Sequence, residues 1–412
     1  GGRAGVRPAL ARRVLVAVAL LGAAACNPHR PPPLPGTEPE LRIGIADGLQ
    51  RITLGGDAQV LVTDDANGSA VAGIPAGSVW SIVPDSGALV LIAPDGARTS
   101  HHRGISAVSV TNNHFVAADG KRYRGRVNVV RTGTGLQLIN RIGLEGYVAA
   151  VIGPEMGPRR QDELQALDAQ AIVSRTFALK NRGRWEAQGF DLTDDTRDQV
   201  YGGVAAETQQ AWAAVRRTAG QVVMYHGDLI DAFFHSTCGF RTAEATEAFR
   251  NGVARPYLRP VSDASGGGHY YCDISPRFRW REEWDGATLR TILARSIPDL
   301  QRIVNIEVSK TSPSGRVAEL RIVFPHGDAR IPEPDVRTVL RSASGSLLQS
   351  AAFQVFVTTD SGQVTSLVAA GAGSGHGVGF CQWGAIGRAR AGQGYHDIIT
   401  TYFPGTDIEK LY

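Results

Sequence analysis

Two runs of helical periodicity meet at Gly153-Pro154, and no other stretch constrains the chain as much. In the run from Gly143, residues Leu144, Tyr147, Val148, Val151 and Ile152 recur at helical spacing and give a short helix one apolar face. Proline lacks the amide proton and restricts the residue before it, so this pair should end the helix and leave Glu155 on a turn. A second helix is expected from near Asp162 to Lys180, with Leu164, Leu167, Ala171, Ser174 and Ala178 on one narrow stripe. Asp162 and Glu163 at its start, and Lys180, Arg182 and Gly183 at its end, suit the helix dipole and a glycine stop. A carboxylate at a break between packed helices is held rigidly yet open to a ligand, a good place for an acid. By position alone, Glu155 also fits a helix cap or a partner for Arg159 or Arg160.

Ahead of this body lies a leader. Arg12-Arg13 followed by Val14 to Ala25 reads as a basic region, an apolar core and a small-residue cleavage site, too short to span a bilayer comfortably. Cys26 directly follows Leu21-Gly-Ala-Ala-Ala25, which resembles a bacterial lipobox whose cysteine is acylated; an ordinary secretion signal is the alternative. Residues 1–25 are thus a signal peptide and 26–40 a Pro-rich tether to a lipid anchor. The formal charge of +4 comes from the leader: Arg3, Arg7, Arg12 and Arg13 precede Cys26 and no acid does, so the mature chain has no net charge. That composition, with export, argues against nucleic acid as a partner. Cys238, Cys272 and Cys381 remain, an odd count in an oxidising compartment.

The expected fold class is α+β. Residues 41–131 form an N-terminal all-β module, because short apolar runs (Leu41 to Ile45, Val60 to Val62, Val79 to Val83, Ala88 to Ile92, Val127 to Val130) alternate with turn residues. Asn67-Gly68, Asp95-Gly96 and Asp119-Gly120 fall where hairpin turns would. His101, His102 and His114 lack cysteines or paired acids at ligand spacing and read as solvated loop residues. Residues 132–412 are a mixed α+β domain. Gln221 to Met224 and Leu229 to Phe234 read as strands around a Gly227-Asp228 turn, and the second delivers His235-Ser-Thr-Cys-Gly239 to its end. Histidine and cysteine three apart leave three readings: half a zinc site completed by Cys272 or His269, a thiol nucleophile with its base, or polar groups lining a cleft near a disulfide.

Leu144-Glu-Gly-Tyr-Val148, Pro154-Glu-Met156 and Leu167-Asp-Ala-Gln-Ala-Ile-Val-Ser-Arg-Thr-Phe-Ala-Leu-Lys180 together resemble the stage II sporulation protein D family (SpoIID/LytB). The resemblance continues through Gln199-Val-Tyr201, His235 to Gly239, Pro256 to Val261, Ser275 to Trp280 and Gly375-His-Gly-Val-Gly-Phe-Cys-Gln-Trp-Gly-Ala385. It implies a catalytic domain over 132–412 that is a peptidoglycan lytic transglycosylase, or a non-catalytic enhancer of an N-acetylmuramoyl-L-alanine amidase. It also implies Glu155 as the catalytic acid, with Arg175, Gln199, Tyr201, His235, Ser236, Thr237, His376 and Gln382 binding substrate. Arg175 would orient Glu155 or a muramyl carboxylate, or else form a structural ion pair. Some members carry a His-Cys zinc pair just before Gln-Val-Tyr; Arg197-Asp198 stand there instead, which puts zinc at that position in doubt.

On the same resemblance His235, Ser236 and Thr237 line the cleft, and Cys238 pairs with Cys272 in a disulfide worth about 2–4 kcal/mol. Cys381 departs from the small polar residue usual there and reads as a free, partly buried thiol. Phe278 and Trp280 suit either sugar stacking or buried packing. No cofactor is expected, with a structural zinc near His235 and Cys238 as the alternative. A hydrolytic glycosidase generally needs two carboxylates, whereas a lytic transglycosylase can use one as acid and then base, because the attacking C6 hydroxyl is already tethered to the reacting sugar. The expected protein is an exported cell-envelope lipoprotein that faces the wall, binds glycan strands and engages an amidase in the alternative reading.

Overall fold

At the start of the strand Glu40–Leu49, Leu41 and Ile43 are buried on either side of the more exposed Arg42, the period of a strand with one covered face. This strand lies near the start of the part of the chain that the computed structural model describes, residues 37–412. The leader, Cys26 and most of the 26–40 tether lie outside the described residues. Glu40–Leu49 pairs antiparallel with Leu136–Gly143 and, on its other side, parallel with the short Leu192–Thr193. The seven-stranded sheet continues through Arg126–Arg131, Gly104–Ser109, Val60–Asp64 and Ala70–Ile74. A five-stranded sheet of Ala88–Ile92, Val79–Asp85, Ile52–Gly56, Val116–Ala118 and Lys121–Tyr123 completes a β-rich N-terminal region in an α+β fold. Asp119 and Gly120 both have positive φ (47° and 75°), as the two-residue hairpin between the last two strands requires. The boundary expected at residue 131 falls between two hydrogen-bonded strands, Arg126–Arg131 and Leu136–Gly143, so a shared sheet joins the two regions.

The helix Leu144–Met156 starts at the end of that sheet and does not stop at Gly153-Pro154; Pro154 and Glu155 both lie in its last turn. A proline costs a helix its hydrogen bond four residues back, a loss that matters less where the ladder is ending. The Gly157 N–H closes the turn by bonding to the Gly153 carbonyl. Gly153 itself serves a close approach: a Cβ there would stand 2.1 Å from the Ala206 carbonyl oxygen.

After a 3-10 turn at Gln161–Glu163, the helix Leu164–Lys180 runs through the middle of the body. Every residue from Ala166 to Leu179 is buried, so the helix is enclosed on all sides rather than along one stripe. Its polar side chains have partners: Asp168 pairs with Arg217 (2.6 Å), and Thr176 Oγ1 donates to the Ile172 carbonyl and accepts from the Val223 amide. Arg175 is fully buried, giving Nε and Nη2 to Glu145 (3.0 and 2.5 Å) and Nη1 to the Gln221 carbonyl (3.0 Å). It is a structural ion pair.

Gln221–Tyr225 pairs with Asp228–Leu229 through a His226-Gly227 turn, one residue earlier than expected, and with the last strand, Asp407–Lys410. Between Arg279 and Ala372 two three-stranded sheets and the helices Gly286–Leu293 and Glu333–Val339 share an apolar core of their own, with Trp284, Leu289, Leu320, Val336 and Leu367 at its centre. Trp280 is packed at the edge of this core with its indole N–H on Ser350 Oγ (3.2 Å), while Phe278 lies under the Arg279 guanidinium. Trp212 is half-buried and donates from Nε1 to Glu207 (2.8 Å).

Removing one member of a buried ion pair leaves the other charge stranded, at a cost of about 3–5 kcal/mol. Arg175→Met should therefore lower unfolding stability in urea by roughly that amount; a loss under about 1 kcal/mol would contradict the assignment.

Candidate active site

Segments far apart in the chain converge on a cleft of about 860 Å³: the end of the Leu144–Met156 helix, residues 196–200, the strand Phe234–His235, residues 245–258 and the turn from Gly375 to Gln382. A short parallel pairing, Phe234 with Phe380 and His235 with Cys381, brings the two conspicuous motifs together. A separate antiparallel bridge, with reciprocal backbone hydrogen bonds of 3.0 and 2.8 Å, joins Thr237 to Ser374 just before the turn.

Glu155 faces this cleft, half-buried. Gln382, the first residue of the helix Gln382–Arg390, donates from Nε2 to Glu155 Oε2 at 3.0 Å. Burial pushes the Glu155 carboxyl above its ordinary value, against hydrogen bonds from Gln382 and the Val200 amide that pull it down. Two other carboxylates line the cleft, and each is committed elsewhere. Asp198 pairs with Arg184 (3.0 Å) and accepts from Trp185 Nε1 and the Thr193 amide (both 2.8 Å). Asp231 pairs with Arg255 and accepts from the Tyr257 hydroxyl (both 3.1 Å). Among the described residues Glu155 is the cleft carboxylate without a cationic partner.

The expected binding residues divide. His235, Ser236, His376 and Gln382 line the cleft. His235 hydrogen-bonds through Nδ1 to the Val378 carbonyl (3.1 Å), and its buried Nε2 has no protein partner. His376 donates from Nε2 to the Phe234 carbonyl (2.9 Å) and accepts the Val378 amide at Nδ1 (3.0 Å). Burial holds its imidazole well below the usual range, so it is neutral. With both nitrogens engaged, it presents a ring beside Phe233 and Phe249.

Four residues lie off the cleft. Arg175 is in its buried pair with Glu145. Thr237 is buried against Ser275 Oγ (2.7 Å). Gln199 is buried and accepts from the Tyr147 hydroxyl (3.2 Å), while Tyr201 stacks on Tyr147 and donates to Asn140 (2.6 Å). It is the residue between them, Val200, 38% exposed, that faces the cleft. Sequence reasoning also missed an apolar wall of Phe177, Phe233, Phe234 and Phe249, and the segment Arg250 to Val253. Phe233-Phe234 directly precede His235 and carried a signal; residues 249–253 carried none.

The expected Cys238–Cys272 disulfide is not formed. Both cysteines and Cys381 are free, with Cys238 Sγ and Cys272 Sγ 3.6 Å apart. Cys381 is fully buried rather than partly so, because its sulfur caps the Gln382–Arg390 helix by accepting the Gly384 amide (3.3 Å). Away from the cleft, His101, His102 and His114 each sit beside an aspartate, Asp85, Asp64 and Asp57 respectively.

Replacing Gln382 with Leu removes a donor that favours the charged form of Glu155. In Gln382→Leu the Glu155 carboxyl should therefore titrate at higher pH than in the wild type, read by NMR of carbon-13-labelled glutamate; a shift to lower pH would contradict this geometry.

Residues 132–225, which hold both central helices and Glu155, match a family model described as stage II sporulation protein (SpoIID), and residues 269–379 match a domain of unknown function (DUF8618). The chain is 32% identical over 294 residues to an uncharacterized protein of Brachyspira hyodysenteriae (strain ATCC 49526 / WA1), covering 70% of this chain and 73% of that one. It is 28% identical over 293 residues to stage II sporulation protein D of Bacillus subtilis (strain 168), covering 67% and 77%. To the amidase enhancer of the same organism it is 25% identical over 337 residues, 74% of this chain but 46% of that protein, so it spans about half of that relative's length. The chain belongs to the stage II sporulation protein D family (SpoIID/LytB).

Proposed function

We propose that this chain is an exported cell-wall protein that cleaves the MurNAc-GlcNAc backbone of peptidoglycan by lytic transglycosylation, leaving 1,6-anhydro-MurNAc ends. The observation that carries the reading is the contrast among the cleft carboxylates: Asp198 and Asp231 are bound to arginines, while Glu155 has neutral partners and a raised affinity for its proton. A two-carboxylate hydrolysis would need a second free acid or base, and Asp198 and Asp231 are poorly suited to that. One carboxyl suffices for transglycosylation.

Protonated Glu155 gives its proton to the leaving glycosidic oxygen as the bond to the MurNAc C1 breaks. The resulting carboxylate takes the proton of the MurNAc C6 hydroxyl, whose oxygen bonds to C1 and closes the anhydro ring. Attack is intramolecular, so no water has to be positioned. Gln382 holds the carboxyl in place in both protonation states, and the phenylalanine wall offers apolar surface for sugar faces.

Glu155→Gln should lower anhydro-muramyl product by at least ~10²-fold on purified glycan strands, measured by mass spectrometry, with circular dichroism and glycan retention close to wild type. Full activity in that variant would end the assignment. The likeness to an amidase enhancer supports a second reading, in which the same cleft holds glycan for an amidase without cutting it. Wild-type protein that yields no anhydro ends but accelerates a purified amidase would favour this enhancer role.

Export and anchoring complete the reading: Cys26, after its lipobox-like run, would carry the acyl chains that hold the protein at the envelope, facing the wall. Mass spectrometry of the mature N terminus should find an acylated Cys26; an unmodified N terminus elsewhere would overturn the anchor. Among the described residues no helix is long and apolar enough to cross a membrane.

A further inference from the structure

One residue before Gln382, behind the cleft floor, three cysteines and a carboxylate meet. Cys238, Asp263, Cys272 and Cys381 come from separate segments, all four are fully buried, and one ligand atom from each lies within 4.8 Å of the others. Cys238 follows the strand Phe234–His235, Cys272 sits in the 3-10 turn Tyr271–Ile274, and Cys381 ends the strand Phe380–Cys381. We propose that Cys238, Cys272, Cys381 and Asp263 form a closed structural zinc site.

Spacing supports this first. The 3.6 Å between Cys238 Sγ and Cys272 Sγ is close to the edge of a tetrahedron, about 3.8 Å, for thiolates about 2.3 Å from one zinc. Three sulfurs also cannot all be satisfied by one disulfide, and a third buried thiol in contact with the pair is what a metal uses and a cross-link does not.

The surroundings are built for anions. The Cys238 and Gly384 amides both donate to Cys381 Sγ, at 3.2 and 3.3 Å. Asp263 accepts from the Tyr402 hydroxyl (2.7 Å), the Cys272 amide (2.9 Å) and Arg388 Nη2 (3.3 Å), the outer hydrogen bonds that orient a ligating carboxylate. Arg316 is buried against the same cluster: Nη2 donates to the Cys238 carbonyl (3.1 Å), while Nε and Nη1 are buried without a hydrogen-bond partner. A guanidinium in that position is costly unless negative charge lies close. Four ionised ligands beside two arginines leave two negative charges, which a divalent cation neutralises.

Three thiolates select a soft or borderline metal over magnesium or calcium, and four buried protein ligands leave no open position for substrate, the mark of a structural zinc. The site differs from the one before Gln199, where Asp198 is bound by Arg184, Trp185 and Thr193. Its consequence is mechanical. Cys272 lies on the way out to the Arg279–Ala372 excursion, Cys381 on the way back, and Cys238 in the body, so the metal ties all three together directly behind Gln382.

The test uses the full chain with Cys26→Ser, without a polyhistidine tag, and does not depend on glycan cleavage. Elemental mass spectrometry should find about one zinc per chain after dialysis. Cys238, Cys272 and Cys381 should react with a thiol reagent only when denaturant and chelator are both present, and chelator should lower the thermal midpoint. Cys381→Ser should reduce zinc content at least tenfold. If that variant does not fold, the wild-type metal count and intact mass still decide. Metal-free protein of unchanged stability, or a native mass lower by two hydrogens from a Cys238–Cys272 disulfide, overturns the proposal.

Discussion

Everything at the cleft depends on two residues of parallel strand. Phe234–His235 beside Phe380–Cys381 joins positions such as His235 and Val378, 143 residues apart in sequence. A ladder this short has little stability of its own, so it relies on what surrounds it. An antiparallel bridge between Thr237 and Ser374 ties the same segments a second time, and Gly379 lets the chains approach, since a Cβ there would lie 2.4 Å from the Phe233 carbonyl oxygen. At φ +71°, Gly379 also takes a conformation that a side chain would strain. Gln382 follows directly from this pairing, and through it the hydrogen bond to Glu155.

A division of labour among the acids explains why one of them is available for proton transfer. Glu145, Glu163 and Asp168 each meet an arginine in the body of the protein, Arg175, Arg390 and Arg217 respectively. Each arginine occupies the carboxylate oxygens it faces, so these acids are committed to ion pairs inside the body. Glu155 is treated differently: it is half-buried at a helix end, and its listener is an amide. Neutral donors orient a carboxyl without forbidding either protonation state, and burial then favours the proton.

Much of the β-rich region could be read from the residues. Period-2 runs such as Val79 to Val83 and the Asp119-Gly120 turn speak only of local backbone and one covered face, and both lie where that reading puts them. The helices were harder. Pro154 breaks a helix only where there is a ladder left to break, and Gly153 looks like a stop until the Ala206 carbonyl is seen against it. In Leu164–Lys180, Asp168, Arg175 and Thr176 look like an exposed face, and only Arg217, Glu145 and Val223 from other segments make their burial tolerable. A motif likewise does not say which of its residues points inward: in Gln199-Val-Tyr201 the polar ends are core and Val200 meets the cleft. The cysteines were legible as an odd count, but their meeting point depends on the topology.

The Arg279–Ala372 excursion leaves and returns across a single antiparallel ladder, in which Arg279 sits opposite Ala372. To the rest of the molecule, nearly a hundred residues therefore occupy the span of one hairpin closure. The layer has a core of its own, yet it also reaches back to the cleft: Arg337 lines it, the Gly375 amide donates to the Gln349 carbonyl (2.8 Å), and Arg316 donates to the Cys238 carbonyl (3.1 Å). A change inside the layer that shifts Arg337, Gln349 or Arg316 is therefore felt at the turn that carries Gln382, so the cleft and the layer have to vary together.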